Sequence, residues 1–294
     1  MTDPLQHELI VEIGPFKEWE GKKDPGSVRI VSNGDINSMK VKVHIEKTKI
    51  YIPNLARISI WNLKKDTIDT FRTAGKEVRV YAGIQGYEKE YLYRGSLQAT
   101  VTERIGTDYV TTLVCQTAGS NLSMAVVSKT WAEGVAVDQV VKEIVSTIPN
   151  VIYDPENNII NGKIGYKGFS FIGCAADALV KLGNQYGFSW SINNGVFVAI
   201  MDGKPRRTGI VLNSGSGLRK VSPRLSGILQ IQDGVDILCK YKQNIEPGQL
   251  IRVESDVTPN LNGFYDAHTI EYDLCPKDES WEMNISFFSM VGSG

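Results

Sequence analysis

The feature that most constrains this chain is a period of two. Trp281, Met283, Ile285 and Phe287 are large and apolar, and Glu282, Asn284 and Ser286 stand between them. Only an extended strand, whose side chains point alternately to opposite faces, gathers such a set on one side. The same alternation sets Val41, Val43 and Ile45 against Lys40, Lys42 and His44, and it runs through Val235, Ile237, Cys239 and Tyr241. Each run reads as a half-buried strand. Further strands are expected over 57–61, 77–82, 90–96, 99–104 and 109–116, with a hairpin turn at Ile105-Gly106-Thr107-Asp108. Pro247-Gly248 and Asn262-Gly263 turn the chain into strands over 249–254 and 264–272.

Two stretches carry the helical period instead. Val137, Val140, Val141, Ile144, Val145 and Ile148 fall on one helical face, with Pro149 directly after them. β-branched residues are weak helix formers, so burial of that stripe has to supply the stability. A second helix is expected over 173–186, where Ala175, Leu179, Leu182 and Tyr186 share a face and Gly187 ends it. A short helix is expected over 66–74, stopped by Gly75. Asn193-Asn194-Gly195 between apolar runs is a strong hairpin signal.

The chain therefore divides into a β-rich part over 36–118, an α+β part over 119–202 and a β-rich part over 203–294. The first part reads as a closed or nearly closed barrel with one small helix. Residues 1–35 mix charge with turn signals at Gly14-Pro15, Asp24-Pro25-Gly26 and Asn33-Gly34-Asp35, and read as an extension. Gly75-Lys76-Glu77-Val78-Arg79-Val80 echoes Gly248-Gln249-Leu250-Ile251-Arg252-Val253, which raises the question of an internal repeat.

Charge excludes several functions. Lys plus Arg is 32 and Asp plus Glu is 33, and no segment is strongly basic, so an electrostatic grip on nucleic acid is not expected. Residues 111–200 hold only five basic and six acidic side chains, so part of this segment is expected to be covered by its neighbours or by another subunit. No membrane-spanning helix is expected: the apolar run 196–201 is far short of the ~20 residues one needs. Met1-Thr2-Asp3-Pro4 lacks the start of a secretory signal, and Cys115, Cys174, Cys239 and Cys275 form no CxxC pair. Buried free thiols made in a reducing cytoplasm are the expectation.

Catalytic constellations are absent from the sequence. The three histidines, His7, His44 and His268, lie apart, and His268 with Cys275 is two ligands short of a metal site. No GxSxG or P-loop occurs; Ser214-Gly215-Ser216-Gly217 reads as a flexible loop and Gly83-Ile84-Gln85-Gly86 as a link between strands. Asp154-Pro155-Glu156-Asn157-Asn158 has oxygen donors without an EF-hand pattern and reads as a turn. The acid pairs Asp233/Asp236 and Glu254/Asp256 read as solvated faces. Strand aromatics such as Tyr91, Tyr93, Trp190, Phe197, Trp281, Phe287 and Phe288 read as cross-strand core pairs, although aromatic strands also stack sugars or bases. No catalytic, cofactor or metal residue is assigned.

A resemblance goes further. Asn54-Leu55-Ala56-Arg57-Ile58-Ser59-Ile60-Trp61-Asn62-Leu63, then residues 75–83, Tyr93-Arg94-Gly95-Ser96 and residues 111–116 are similar in order and content to the first domain of baseplate hub proteins of contractile-tailed phages. Tyr166-Lys167-Gly168-Phe169, the helix ending at Gly187, and Trp190-Ser191-Ile192 with Gly195 resemble that family's central domain. Gly217-Leu218-Arg219-Lys220-Val221-Ser222-Pro223, and Pro247-Gly248 through Gly263-Phe264-Tyr265, resemble its last domain. The ordered set covers most of residues 40–290, and residues 1–35 have no counterpart in it.

The resemblance implies a mainly β chain in which two tail-tube-like β-barrel domains flank or enclose a central α+β domain. It implies a structural protein, not an enzyme: a homotrimer whose six tube-like domains match a hexameric tail tube above and a trimeric central spike below. Tape-measure and baseplate-wedge proteins are further neighbours of such a hub. It implies a virion baseplate location after assembly in the bacterial cytoplasm, with phage DNA passing through the lumen. A near-neutral chain suits a channel that lets DNA slide. A β-rich protein that binds or cleaves cell-wall polysaccharide is the alternative, and a tube protein itself is a third, against which the distinct central segment speaks.

Overall fold

The computed structural model describes residues 6–14, 27–72, 76–117, 122, 124–226, 231–278 and 280–288. In the first β-rich part, β1 (His7–Gly14) and β2 (Val28–Asn33) precede β3 (Val41–Thr48), β4 (Leu55–Trp61), α1 (Lys65–Phe71), β5 (Glu77–Ile84), β6 (Glu90–Ile105) and β7 (Asp108–Gln116). The α+β part holds β8 (Val126–Trp131), α2 (Val137–Val145), β9 (Ile152–Asn158), β10 (Phe169–Cys174), α3 (Ala175–Tyr186), β11 (Phe188–Asn193) and β12 (Val196–Met201). The last part holds β13 (Arg206–Leu212), β14 (Leu218–Ser226), β15 (Ile231–Lys240), β16 (Gln249–Val253), β17 (Gly263–Leu274) and β18 (Trp281–Phe288).

The alternating runs behave as the period of two requires. Val41, Val43 and Ile45 are fully buried on β3, as are Val235, Ile237 and Cys239 on β15. Along β18 the burial of Trp281, Met283, Ile285 and Phe287 is interrupted at every second residue. The expected strands over 90–96 and 99–104 are one continuous β6 with a bulge between Leu97 and Ala99. The first helix ends at Phe71, which is fully buried; the expected stop at Gly75 lies outside the described residues.

Two differences concern the first 35 residues and the barrels. β1 and β2 pair with each other, and β1 also pairs with β5, so this stretch builds the sheet and buries Leu9, Val11 and Ile13. The turn signals at Pro15 and 24–26 lie outside the described residues. Among the described residues no barrel closes. Thirteen strands form one sheet, ordered β14-β15-β18-β17-β3-β4-β7-β6-β5-β1-β2, with β16 and β13 branching from β17. The reason is a long-range pairing: the outer edge of β3 pairs with β17 in place of closing on its own unit.

The first and last parts repeat one another strand for strand. β3–β4, β4–β7, β7–β6 and β6–β5 are antiparallel pairs. β14–β15, β15–β18, β18–β17 and β17–β16 are the same succession, also antiparallel. Each long strand carries its bulge at the same step of the ladder, at Leu97/Ala99 on β6 and at Ala267/Thr269 on β17. Counted from those bulges, Ala56 and Cys115 correspond to Val235 and Phe287, and Val78 opposite Gly95 corresponds to Ile251 opposite Tyr265. The sequence echo therefore falls at equivalent positions. A bulge re-aims a strand, so a shared one gives both units the same bend.

The α+β part has its own core. Val137, Val140, Val141, Ile144 and Val145 of α2 are fully buried and pack with Ala175, Leu179 and Leu182 of α3. Gly187 adopts φ 69° and its N–H closes α3 on Gly183 O. Asn194 and Gly195, at φ 53° and 83°, make the tight turn between β11 and β12. The predicted turn at 154–158 is instead part of β9, which runs parallel to β12. Asn158 explains it: its amide donates to Asp154 O and Phe197 O and accepts from Ala199 N, patching the irregular register there. Ser214–Ser216, read as a flexible loop, is one turn of 3-10 helix capped by Asn213.

Candidate assembly interface

The seam between the two repeats is the most elaborated feature of the molecule. β3 lies on β17 from Val43 opposite Leu274 to Thr48 opposite Thr269. Lysines of the first repeat flank that ladder and meet acids of the second. Lys40 reaches Asp278 at 2.9 Å and Lys42 reaches Asp273 at 3.1 Å. Lys47, fully buried, lies 2.7 Å from Glu246, and Lys49 pairs with Asp266. Tyr241 of the second repeat donates to Glu90 of the first. Burial pushes the Glu90 carboxyl above its ordinary range, opposed by the Tyr241 hydrogen bond and the Lys47 charge. The Tyr241 hydroxyl is driven well above its usual value by the same burial and by Glu90.

The α+β part docks on the first repeat through the β11–β12 hairpin. Asn54, buried after β3, accepts from Thr48 N at 3.0 Å and donates to Asn193 Oδ1 at 2.7 Å and Ile192 O at 3.3 Å. Asn194 donates to Tyr91 O at 2.9 Å. Elsewhere the α+β part is less covered: Met124, Val126, Tyr166 and Ile172 are all exposed. Its low charge is thus matched by apolar surface.

Of the sheet edges left without a partner strand among the described residues, two belong to the paired repeats. One is the outer edge of β14, which ends the sheet. The other is the edge of β6 beyond Ser96: residues 99–105 pair with β7 on one side, and β5 covers the other only as far as Ser96. Val101, Ile105 and Tyr109 beside this edge are more than half exposed. Sequence reasoning missed both edges, because an edge is defined by where the neighbouring strand stops.

The residues tested for chemistry stay apart. His7 stacks on Trp281 at 4.4 Å, His44 sits exposed on β3, and His268 occupies the β17 bulge against the edge of Phe288. Burial, Lys49 and Arg224 hold His268 down at about 4. No cluster of three or more metal-ligating side chains exists among the described residues. The cysteines are free; Cys115, Cys239 and Cys275 are buried, and Cys174 is only half-buried. The Asp233 side chain lies outside the described residues. Tyr93, Trp190, Phe197 and Phe287 are core residues, which leaves them no ring face for a sugar. A cavity of about 730 Å³ lies between the start of β1 and the ends of β15 and β18, lined by His7, Tyr87, Lys240, Tyr241 and Trp281 among others. Among the described residues that line it, Glu88 is the one carboxylate. No described helix is long and apolar enough to cross a membrane.

No family model matches the sequence, and no curated protein is similar to it in sequence. Solved structures do share its fold. The 43 kDa tail protein of prophage MuSo2 from Shewanella oneidensis is 10% identical, with 97% of each chain covered and a TM-score of 0.68. A tail protein from Neisseria meningitidis MC58 is 11% identical over 96% of each chain, with a TM-score of 0.65. The E. coli c3393 protein is described as a type VI secretion component structurally similar to the T4 tail proteins gp27 and gp5. It is 11% identical, matches 87% of this chain and 75% of its own, and has a TM-score of 0.56. At these identities the similarity is one of fold.

Proposed function

We propose that this chain is a structural baseplate hub subunit of a contractile phage tail. Three copies form a ring with pseudo-six-fold symmetry, which joins a hexameric tail tube to a trimeric central spike around the DNA channel. The observation that carries this is the repeat: the order β3-β4-β7-β6-β5 recurs as β14-β15-β18-β17-β16 with the bulge in the same place. One polypeptide thereby presents two near-equivalent modules, and three copies present six.

Folds shared with tail proteins over nearly the whole chain support a place in the tail. The absence of clustered ligands among the described residues, and the burial of the strand aromatics, fit a mechanical role. The domains in this reading are the two repeats and the α+β part over 119–202. The exposed apolar residues Met124, Val126 and Ile172 of the α+β part suit burial against a spike or wedge neighbour. The protein is made in the host cytoplasm and ends in the virion baseplate.

Light scattering on the purified chain, followed by imaging with tube protein and spike, tests this. Threefold particles capped by a sixfold tube are the expected result. A monomer that binds or cleaves glycan, and adds to neither tube nor spike, overturns the proposal.

A further inference from the structure

Among the unpaired edges, those of β14 and of β6 beyond the β5 ladder are the counterparts of the two edges already joined within the chain. Counted from the bulges, residues 99–104 of β6 correspond to 269–274 of β17, and β14 corresponds to β3. Within the chain, β17 accepts β3. Its equivalent, the exposed half of β6, has no strand of this chain on that edge among the described residues, and β14 has no strand beyond it. A repeat whose first junction is intramolecular and whose second is vacant fits a head-to-tail contact between copies, which is heterologous and makes a ring where its rotation closes.

We infer that β14 of one copy adds antiparallel to residues 99–105 of β6 in the next copy, in the register β3 takes on β17. Transferring that register sets Ser222 opposite Glu103, as His44 stands opposite Asp273, and Val221 opposite Arg104, as Val43 stands opposite Leu274. The ion pair transfers too. Lys42 binds Asp273 within the chain; the equivalent positions are Lys220 and Glu103, both exposed and without an ion-pair partner among the described residues. An unmatched lysine and an unmatched glutamate are thus held where a neighbouring copy satisfies both. Leu225 on β14, and Val101 and Ile105 on β6, are more than half exposed and are covered by the same step.

Pro223 sets a limit on this ladder. It corresponds to Ile45, and the N–H of Lys49 points to His268 O on β17, so by alternation Ile45 points there as well. Pro223 supplies no N–H, so the contact between copies has one bond fewer than its intrachain counterpart. A strand that pairs only on assembly gains from such a defect, because proline on an exposed edge discourages indiscriminate pairing.

The number of copies rests on the ring reading above, whereas the surfaces rest on the repeat alone. By alternation His44 and Asp273 form a non-hydrogen-bonded pair, whose Cα atoms approach to about 4.5 Å, within disulfide range. The full chain carrying both Glu103→Cys and Ser222→Cys is oxidised and run on a non-reducing gel beside the two single variants. His44→Cys with Asp273→Cys, which bridges within one chain, shows that the geometry and the oxidant work. A covalent closed trimer from the double variant, with no such band from either single, is the expected result. A trimer by light scattering that fails to cross-link overturns these surfaces and leaves the hub reading standing. An open ladder of cross-linked copies supports the surfaces and overturns threefold closure. A monomer that cross-links at no accessible concentration overturns both.

Discussion

Lys47 and Glu246 are joined across the seam of the two repeats, Nζ to Oε1 at 2.7 Å, and Lys47 exposes none of its surface. The lysine lies on β3 and the glutamate just before β16, so the pair ties the first unit to the second. A charge buried this way is costly unless matched, and a matched pair is no stronger than good apolar packing. What the pair does supply is register: β3 shifted by one residue would turn Lys47 away from Glu246 and the β3 core residues away from the core.

Replacing Lys47 by methionine keeps the volume and strands Glu246, whose side chain is 26% exposed, beside Glu90. The expected loss is about 2 to 3 kcal/mol, at or below the low end for a broken buried pair because Glu246 keeps some water. Urea unfolding measures it. Adding Glu246→Leu should restore most of that loss; a double variant as weak as the sum of the singles would show that the two residues are not coupled.

His268 gives the fold an acid-side weakness. Its folded value is held at about 4, below the ordinary 6.5, by burial and then by Lys49 and Arg224. The unfolded chain therefore binds the proton more readily. The stability it contributes is complete above about 6.5 and drains away as pH falls toward about 4. His268→Gln cannot titrate, so its stability should fall less than that of the parent over that window. The check is the difference between the two chains' melting temperatures at pH 7 and pH 4.5, and equal losses would refute the assignment.

How much of this was legible can be seen residue by residue. The alternation at Val41, Val235 and Trp281 read directly as strands, and the stripe from Val137 to Ile148 read as α2, because one face of each meets water. β1 escaped because it does not: Ile10 is buried along with Leu9 and Val11, so the period of two is erased. β9 escaped because Asp154 and Asn158 look like turn formers, and the segment is extended by its pairing with β12 together with the Asn158 contacts to Phe197 and Ala199. The open sheet in place of closed barrels was beyond reach, since β3 and β17 are far apart in sequence and their pairing is a tertiary choice. The free edges were not legible either.

Asn54 holds the α+β part to the first repeat. Asn54→Ala leaves Thr48 N–H without its side-chain acceptor and Asn193 without its donor, in a site where Asn54 itself is 3% exposed. Unmade buried bonds cost about 1 to 3 kcal/mol each, so a loss of about 3 kcal/mol is expected. Amide exchange should locate it, with faster exchange at Thr48 and in the β11–β12 turn and little change in α2. Uniform change across the chain would mean that Asn54 is not a local hinge between these parts.

Gly95 separates packing from chain entropy. A methyl group there would overlap Tyr93 Oη and lie 2.9 Å from the backbone oxygen of Gln116. Tyr93 is 1% exposed, so its ring has nowhere to move, and the Gln116 carbonyl belongs to the β6–β7 ladder. Gly95→Ala should therefore cost about 2 to 3 kcal/mol, as overpacked cores do. Gly165 meets nothing within 4 Å and has no left-handed φ, so alanine there removes the same unfolded-chain freedom without a clash. It should be neutral or stabilising by about 0.5 kcal/mol. Denaturant midpoints of the two variants give the comparison. If both shift alike, the closeness of Tyr93 to Gly95 is not what fixes glycine at that step of the sheet.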